Sequence, residues 1–119
     1  MPVARPAYQL HEHSRATCLA ISAGSATPTA INEFGSAMLQ VIAKEHAANL
    51  VVDLTLVEFM PTAMLGHLIA ANTKLRVKGG RIRLVGANSH IAGVFDVTRM
   101  KDHFDFHTTV DAALKSFGE

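Results

Sequence analysis

Cysteine is scarce in this chain, long apolar runs are absent, and the charges nearly cancel. The single cysteine, Cys18, rules out a disulfide within the chain and suits a reducing compartment. No apolar stretch approaches the roughly 18 residues needed to cross a bilayer. The opening MPVARPAYQL lacks the apolar centre of a secretory signal. These absences predict a soluble, cytoplasmic protein with no direct membrane insertion. A formal net charge of +1 is too balanced for the electrostatic footprint of a nucleic-acid binder. Signatures of catalysis are missing too. There is no HExxH and no nucleophile elbow, and the Gly86-Ala87-Asn88 turn lacks the glycine spacing and basic residue of a P-loop.

What is present is the material of one globular domain. With 119 residues, 49% apolar and 18% charged, the chain is too apolar to stay disordered. A domain of this size hides about two thirds of its unfolded surface and needs no staples. No repeat, linker or low-complexity segment divides it, so residues 1–119 form a single domain, with residues 1–7 (Pro2 and Pro6 among them) expected as a loose arm.

The organising stretch is NLVVDLTLVEFMPTAMLG, residues 49–66. Leu50, Val51, Val52 and Leu54 form a nearly continuous apolar run, the pattern of a strand covered on both faces. Val57, Phe59 and Met60 extend the apolar path as a second short extended run. Pro61 stops it, because proline donates no ladder hydrogen bond. Beyond Pro61 the period changes, and Met64, Leu65, Leu68, Ile69 and Leu75 share one helical face, while His67, Lys74 and Lys78 lie off it. Thr62 thus falls at the handover from strand to helix. A hydroxyl there can cap the first-turn N–H groups, and the same N–H groups with the helix dipole can hold a phosphate.

Around this centre the other elements are legible from their periods. Residues 8–13 and 15–22 read as strands, the first an edge strand, the second with Ala16, Cys18 and Ala20 on one face and Leu19 and Ile21 on the other. Ile31, Phe34, Met38, Val41 and Ile42 predict an amphipathic helix over 30–46, with Thr27 or Thr29 placed to cap it. Gly79-Gly80 ends the central helix near Lys78. Residues 81–85 alternate Ile82 and Leu84 against Arg81 and Arg83. Asn88 or Ser89 caps a helix carrying Ile91, Val94 and Phe95. Phe104 and Phe106 mark a short extended segment, and Thr108 to Asp111 is an acidic form of the capping box before a last helix. Alternating strands and helices imply parallel pairing. The expected fold is α/β, a mixed, mostly parallel sheet of about five strands with four helices.

The VVDLTLVEF strand, the PTAMLG turn, the LRVKGGRIRLVG passage and NSHIAGVFDVTRM ahead of DHFDF together resemble the STAS family, the anti-sigma factor antagonist fold. The resemblance spans about Tyr8 to Phe117 and is strongest between Leu50 and Met100. It implies a phosphoacceptor at Thr62. Leu65 and Gly66 keep the family pattern, whereas Pro61 stands where an aspartate is usual and Met64 where a glycine is usual. It further implies a bacterial protein of signal transduction and transcription regulation, with no enzymatic activity and no cofactor. Its partner would be an anti-sigma factor with serine/threonine kinase activity, which phosphorylation at the helix start would release. The implied contact surface is Pro61, Thr62, Ala63, Met64, Gly66 and His67, with Ser25 and Thr27 from a neighbouring loop and Met64 as an exposed or half-exposed apolar group. The alternative is a STAS subunit that binds and stabilises the ATPase of a lipid-transport ABC transporter without a phosphorylation cycle, as the Thr62-Ala63 pair resembles.

Two bland readings complete the sequence picture. Seven histidines, with His11 and His13 on one strand face and His103 and His107 four apart, do not make a metal site without three or four convergent ligands. Cys18, beside Leu19 in a strand, is expected as a small buried hydrophobe.

Overall fold

The computed structural model describes residues 8–13, 16–22, 27–44 and 49–117. The elements in chain order are β1 (Tyr8–Glu12), β2 (Thr17–Ile21), α1 (Pro28–Lys44), β3 (Leu50–Asp53), α2 (Thr62–Val77), β4 (Ile82–Val85), α3 (Ser89–Val97), β5 (Asp105–His107) and α4 (Val110–Lys115), with a single 3₁₀ turn at Lys101–His103. The five strands lie in sequence order, β1-β2-β3-β4-β5. β1 is antiparallel to β2, and all the other pairs are parallel. The α/β class, the mixed sheet, its five strands and its four α-helices are those expected.

Strand alternation sorts the core into two layers. Leu19, Ile21, Leu50, Val52, Ile82 and Leu84 pack with residues of α1, α2 and α3. Cys18, Val51 and Val85 point the other way and pack with Ala113 and Leu114 of α4. Both faces of the central strand are therefore apolar, which is why β3 reads as a continuous run. Phe95 of α3 closes the far end of the larger layer with edge-on contacts to Phe104 and Phe106, both at 5.3 Å.

Buried polar groups mark places where periodicity alone misleads. Arg83 was expected to alternate outward, yet it is 9% exposed, because α4 covers that face of β4. Its guanidinium lies 3.6 Å from the centre of the Phe117 ring and 3.9 Å from Asp105, which also pairs with Arg81 at 3.1 Å. Burial holds the Arg83 pKa below its usual value, with Asp105 pulling back and Arg81 adding to the drop. Asn72, on the buried side of α2, donates to the carbonyl of His103 at 2.9 Å and accepts from the Ile82 amide at 3.3 Å. One amide side chain thereby ties α2 to β4 and to the turn before β5.

Helix ends follow local chemistry. Thr27 rather than Thr29 caps α1, its hydroxyl accepting from the Ala30 amide at 3.2 Å. α1 runs two residues earlier than expected because Pro28 suits the first helical position. At the end of α2, Gly79 has φ +82, and the amides of Gly79 and Gly80 bond back to Arg76 and Leu75. Asn88, not Ser89, caps α3 through the Ile91 amide, and Thr109, one residue later than the capping box placed it, caps α4 through the Ala112 amide. The expected arm at residues 1–7 lies outside the described residues.

Candidate functional site

Parallel strands place their C-terminal ends, and the loops that follow them, along one edge of the sheet. β3 delivers Asp53 there, and residues 54–61 lead on to α2. Contrary to the expected second extended run, these residues form an irregular loop. The cause is local: the Asp53 carboxylate accepts from the Thr55 amide at 2.9 Å and from the Thr55 hydroxyl, and this Asx turn ends the strand. Leu54 and Met60 are buried, whereas Leu56 and Phe59 are 59% and 52% exposed.

Thr62 stands at the start of α2, as expected, but not as its cap. Pro61 is the N-cap residue, extended at φ −64 and ψ 148, and its carbonyl accepts the first helical bond from Leu65 at 3.1 Å. Thr62 is the first helical residue. Its side chain is exposed and no side chain caps this terminus. The first-turn amides have no intrahelical partner. The capping role expected for that hydroxyl is thus corrected: a cap acts from the residue before the helix, and Pro61 fills that place.

The remaining candidates divide. Ala63 and Gly66 are exposed, and Pro61 is half-buried. A Cβ at Gly66 would meet nothing within 4 Å. Met64 is 1% exposed and belongs to the core, so the apolar contact expected from it is withdrawn. Helical geometry turns position 64 inward with Leu68, Ala71 and Leu75, the residues one, two and three turns on. His67 is half-buried, and its ring lies against Gly35 of α1, so it belongs to the α1–α2 contact more than to the free face of α2. Thr27 is exposed and occupied as the α1 cap. Ser25 lies outside the described residues.

Charge along this stretch of chain is one-sided. Between Asp53 and Thr73 the sequence holds Asp53 and Glu58 and no lysine or arginine. Among the described residues no group of three or more His, Cys, Asp or Glu side chains is placed to hold a metal ion, and no helix is long and apolar enough to cross a membrane. Sequence reasoning missed two features of the site. One is the outward placement of Leu56 and Phe59, for which the Asp-x-Thr turn signal was available. The other is the hold of Asn88 on this loop, its amide donating to the carbonyls of Glu58 at 2.9 Å and Val57 at 3.4 Å, for which no local signal exists.

This arrangement is that of a STAS domain, and the chain belongs to that family: the STAS domain profile matches residues 7–113. The fold is shared with a STAS domain anti-sigma-factor antagonist protein from Planctomyces limnophilus, at a TM-score of 0.85 and 16% identity, covering 94% of this chain and 98% of that one. An anti-sigma factor antagonist from Mycobacterium paratuberculosis is similar at a TM-score of 0.80 and 22% identity, with 94% and 93% covered. The Bacillus cell fate determinant SpoIIAA in its phosphorylated form is similar at 0.75 and 16%, with 92% and 98% covered. Among curated protein sequences none matches at a significant level.

Proposed function

We propose that this protein is an anti-sigma factor antagonist, a non-enzymatic binding protein whose partner is an anti-sigma factor with serine/threonine kinase activity, and that Thr62 is its phosphoacceptor. One observation carries the reading: in a STAS domain whose structural neighbours are anti-sigma factor antagonists, an exposed threonine occupies the first position of an uncapped helix. A kinase can reach that hydroxyl without unfolding anything. A phosphate there adds roughly −1.5 to −2 charges. The fold tolerates it, because unbonded amides and the positive end of the helix dipole lie beside it. A partner packed over the same turn does not, because the phosphate must lose water and no lysine or arginine of this chain between residues 53 and 73 is there to pair with it. Phosphorylation therefore releases the partner and binding is restored when the phosphate is removed. The proposed contact residues are Pro61, Thr62, Ala63 and Gly66, with Thr27, Ser25 and His67 as further candidates.

The test is titration against a candidate anti-sigma factor kinase, with ATP labelling in parallel. Thr62→Ala is expected to bind like the parent and take no phosphate, and Thr62→Asp to lose at least about tenfold in affinity, roughly 1.4 kcal/mol. Pro61→Asp is expected to raise the labelling rate by presenting the hydroxyl beside an acid. If Thr62→Asp binds like the parent and no phosphate reaches Thr62, the switch is refuted. Binding to an ABC transporter ATPase instead would then identify the protein as a constitutive subunit of that machine.

A further inference from the structure

The loop before α2 is pinned along its length, yet it turns apolar side chains to solvent. At its start the Leu54 amide bonds the Val85 carbonyl at 2.8 Å, Thr55 bonds back to Asp53, and the Val57 amide closes a turn on Leu54 at 2.9 Å. Gly86, at φ +72, lets the turn after β4 press directly on this segment: a Cβ there would stand 3.0 Å from the Thr55 Cα. Asn88 holds the next part. Its Nδ2 donates to the Glu58 carbonyl at 2.9 Å and to the Val57 carbonyl at 3.4 Å, while its Oδ1 accepts from Ile91 at 2.8 Å to cap α3. Leu56 and Phe59, 59% and 52% exposed, flank the two carbonyls that Asn88 holds. One exposed apolar residue needs no explanation. Two stand on a braced loop that leads along the chain to Thr62, where the proposed contact residues begin.

We propose that Asn88 is a positioning residue for partner docking, bracing the carbonyls of Val57 and Glu58 so that Leu56 and Phe59 stand as apolar anchors for the anti-sigma factor. The docking half of this statement rests on the functional reading above; the bracing half does not. The stretch from Asp53 to Thr73 carries two carboxylates and no lysine or arginine. The surface that fits it is an apolar cleft with a lysine or arginine facing Glu58, because a carboxylate buried at a contact needs a cation. Asparagine is the residue that serves both duties at position 88. The cap needs an acceptor, which serine and aspartate also supply. The loop carbonyls need N–H donors, which an aspartate lacks and a serine is too short to supply.

Asn88→Ser and Asn88→Asp separate the two duties. Amide hydrogen exchange on the isolated protein is the first readout. Both variants are expected to exchange on the order of tenfold faster at Thr55 and Val57, with the Ile91 amide unchanged because its acceptor is kept. Unchanged exchange at Thr55 and Val57 overturns the brace. The second readout is titration against the same anti-sigma kinase. Phe59→Ala is expected to lose about tenfold or more in affinity, Asn88→Ser about five- to tenfold, and the double variant no more than Phe59→Ala alone, since the two act through one contact. Losses that simply multiply overturn the claim that Asn88 works through Phe59, and Phe59→Ala binding like the parent removes the anchor. A parent protein that binds no kinase ends the functional reading and the docking with it, while hydrogen exchange still decides the brace.

Discussion

The ring of His67 fills the space that a side chain on Gly35 would need. A Cβ at Gly35 would stand 2.8 Å from the His67 Cγ, closer than such atoms approach. Gly35 is buried in the middle of α1, where glycine costs about 1 kcal/mol relative to alanine. The close approach of α1 to α2 accounts for a residue that helix propensity disfavours.

The sign of a substitution at Gly35 should therefore depend on residue 67. In the parent, Gly35→Ala gains helix propensity but forces the imidazole out of its place, and a net loss of about 1–2 kcal/mol is expected. In a His67→Ala background the obstacle is gone, and the same change should stabilise by about 0.5–1 kcal/mol. Urea unfolding of the four proteins measures this cycle. A Gly35→Ala effect of the same sign in both backgrounds refutes the ring as the obstacle.

Gly66 presents the opposite case. It lies in the second turn of α2, exposed, with open space where its side chain would be. Helix propensity alone predicts that Gly66→Ala raises stability by about 0.5–1 kcal/mol. If a partner packs on this face, the added methyl has to fit against it, so affinity should fall while stability rises. Thermal melts and the kinase titration on one preparation check both. A stabilised variant with parental affinity places Gly66 outside the contact.

Legibility in the sequence followed the range of the forces involved. β3 and α2 are readable because a continuous apolar run and a 3.6-residue apolar period are both set by residues a few positions apart. The handover near Pro61 was readable from proline itself, which also explains the one-residue error over the cap: proline at the N-cap leaves Thr62 inside the helix. Arg83 and Met64 were misplaced for different reasons. Arg83 is buried because α4 and Phe117, distant in sequence, cover it, whereas Met64 follows its own helical period onto the core face of α2 with Leu68 and Leu75, against the contact role implied by the resemblance. The brace from Asn88 to a loop thirty residues away is tertiary throughout, and position 88 showed only its local duty as a cap. Phe59 reads as part of an extended apolar run with Val57 and Met60 because apolar content masks the Asx turn that ends β3 at Asp53.

Cys18 ties the small core layer to pH. It is 3% exposed on β2, in the layer between the sheet and α4, and its pKa is pushed from the usual 9.0 up to about 11, first by burial and second by the Asp53 carboxylate. The folded protein thus holds the thiol proton more tightly than the unfolded chain does. The associated stability is complete below pH 9, because the thiol is then protonated in both states. It declines as pH rises from 9 towards 11, where the unfolded chain ionises and the folded one resists. At about 1.4 kcal/mol per pH unit, the loss across that window is on the order of 2–3 kcal/mol. Other groups titrate in the same range, so the quantity to measure is the difference between the parent and Cys18→Ala, by urea unfolding at pH 8, 9, 10 and 11. That difference should be flat up to pH 9 and then shrink to the parent's disadvantage. Asp53→Asn keeps an acceptor for Thr55 but removes the charge, and by bringing the folded pKa down it should end the fall at a lower pH and make it smaller, with the onset still near pH 9. At pH 8 the native thiol should also react with a disulfide reagent only as fast as the protein opens. A parent-minus-variant difference that stays constant from pH 8 to 11 would mean that the folded state accommodates the thiolate, and the dry layer between the sheet and α4 would have to be redrawn.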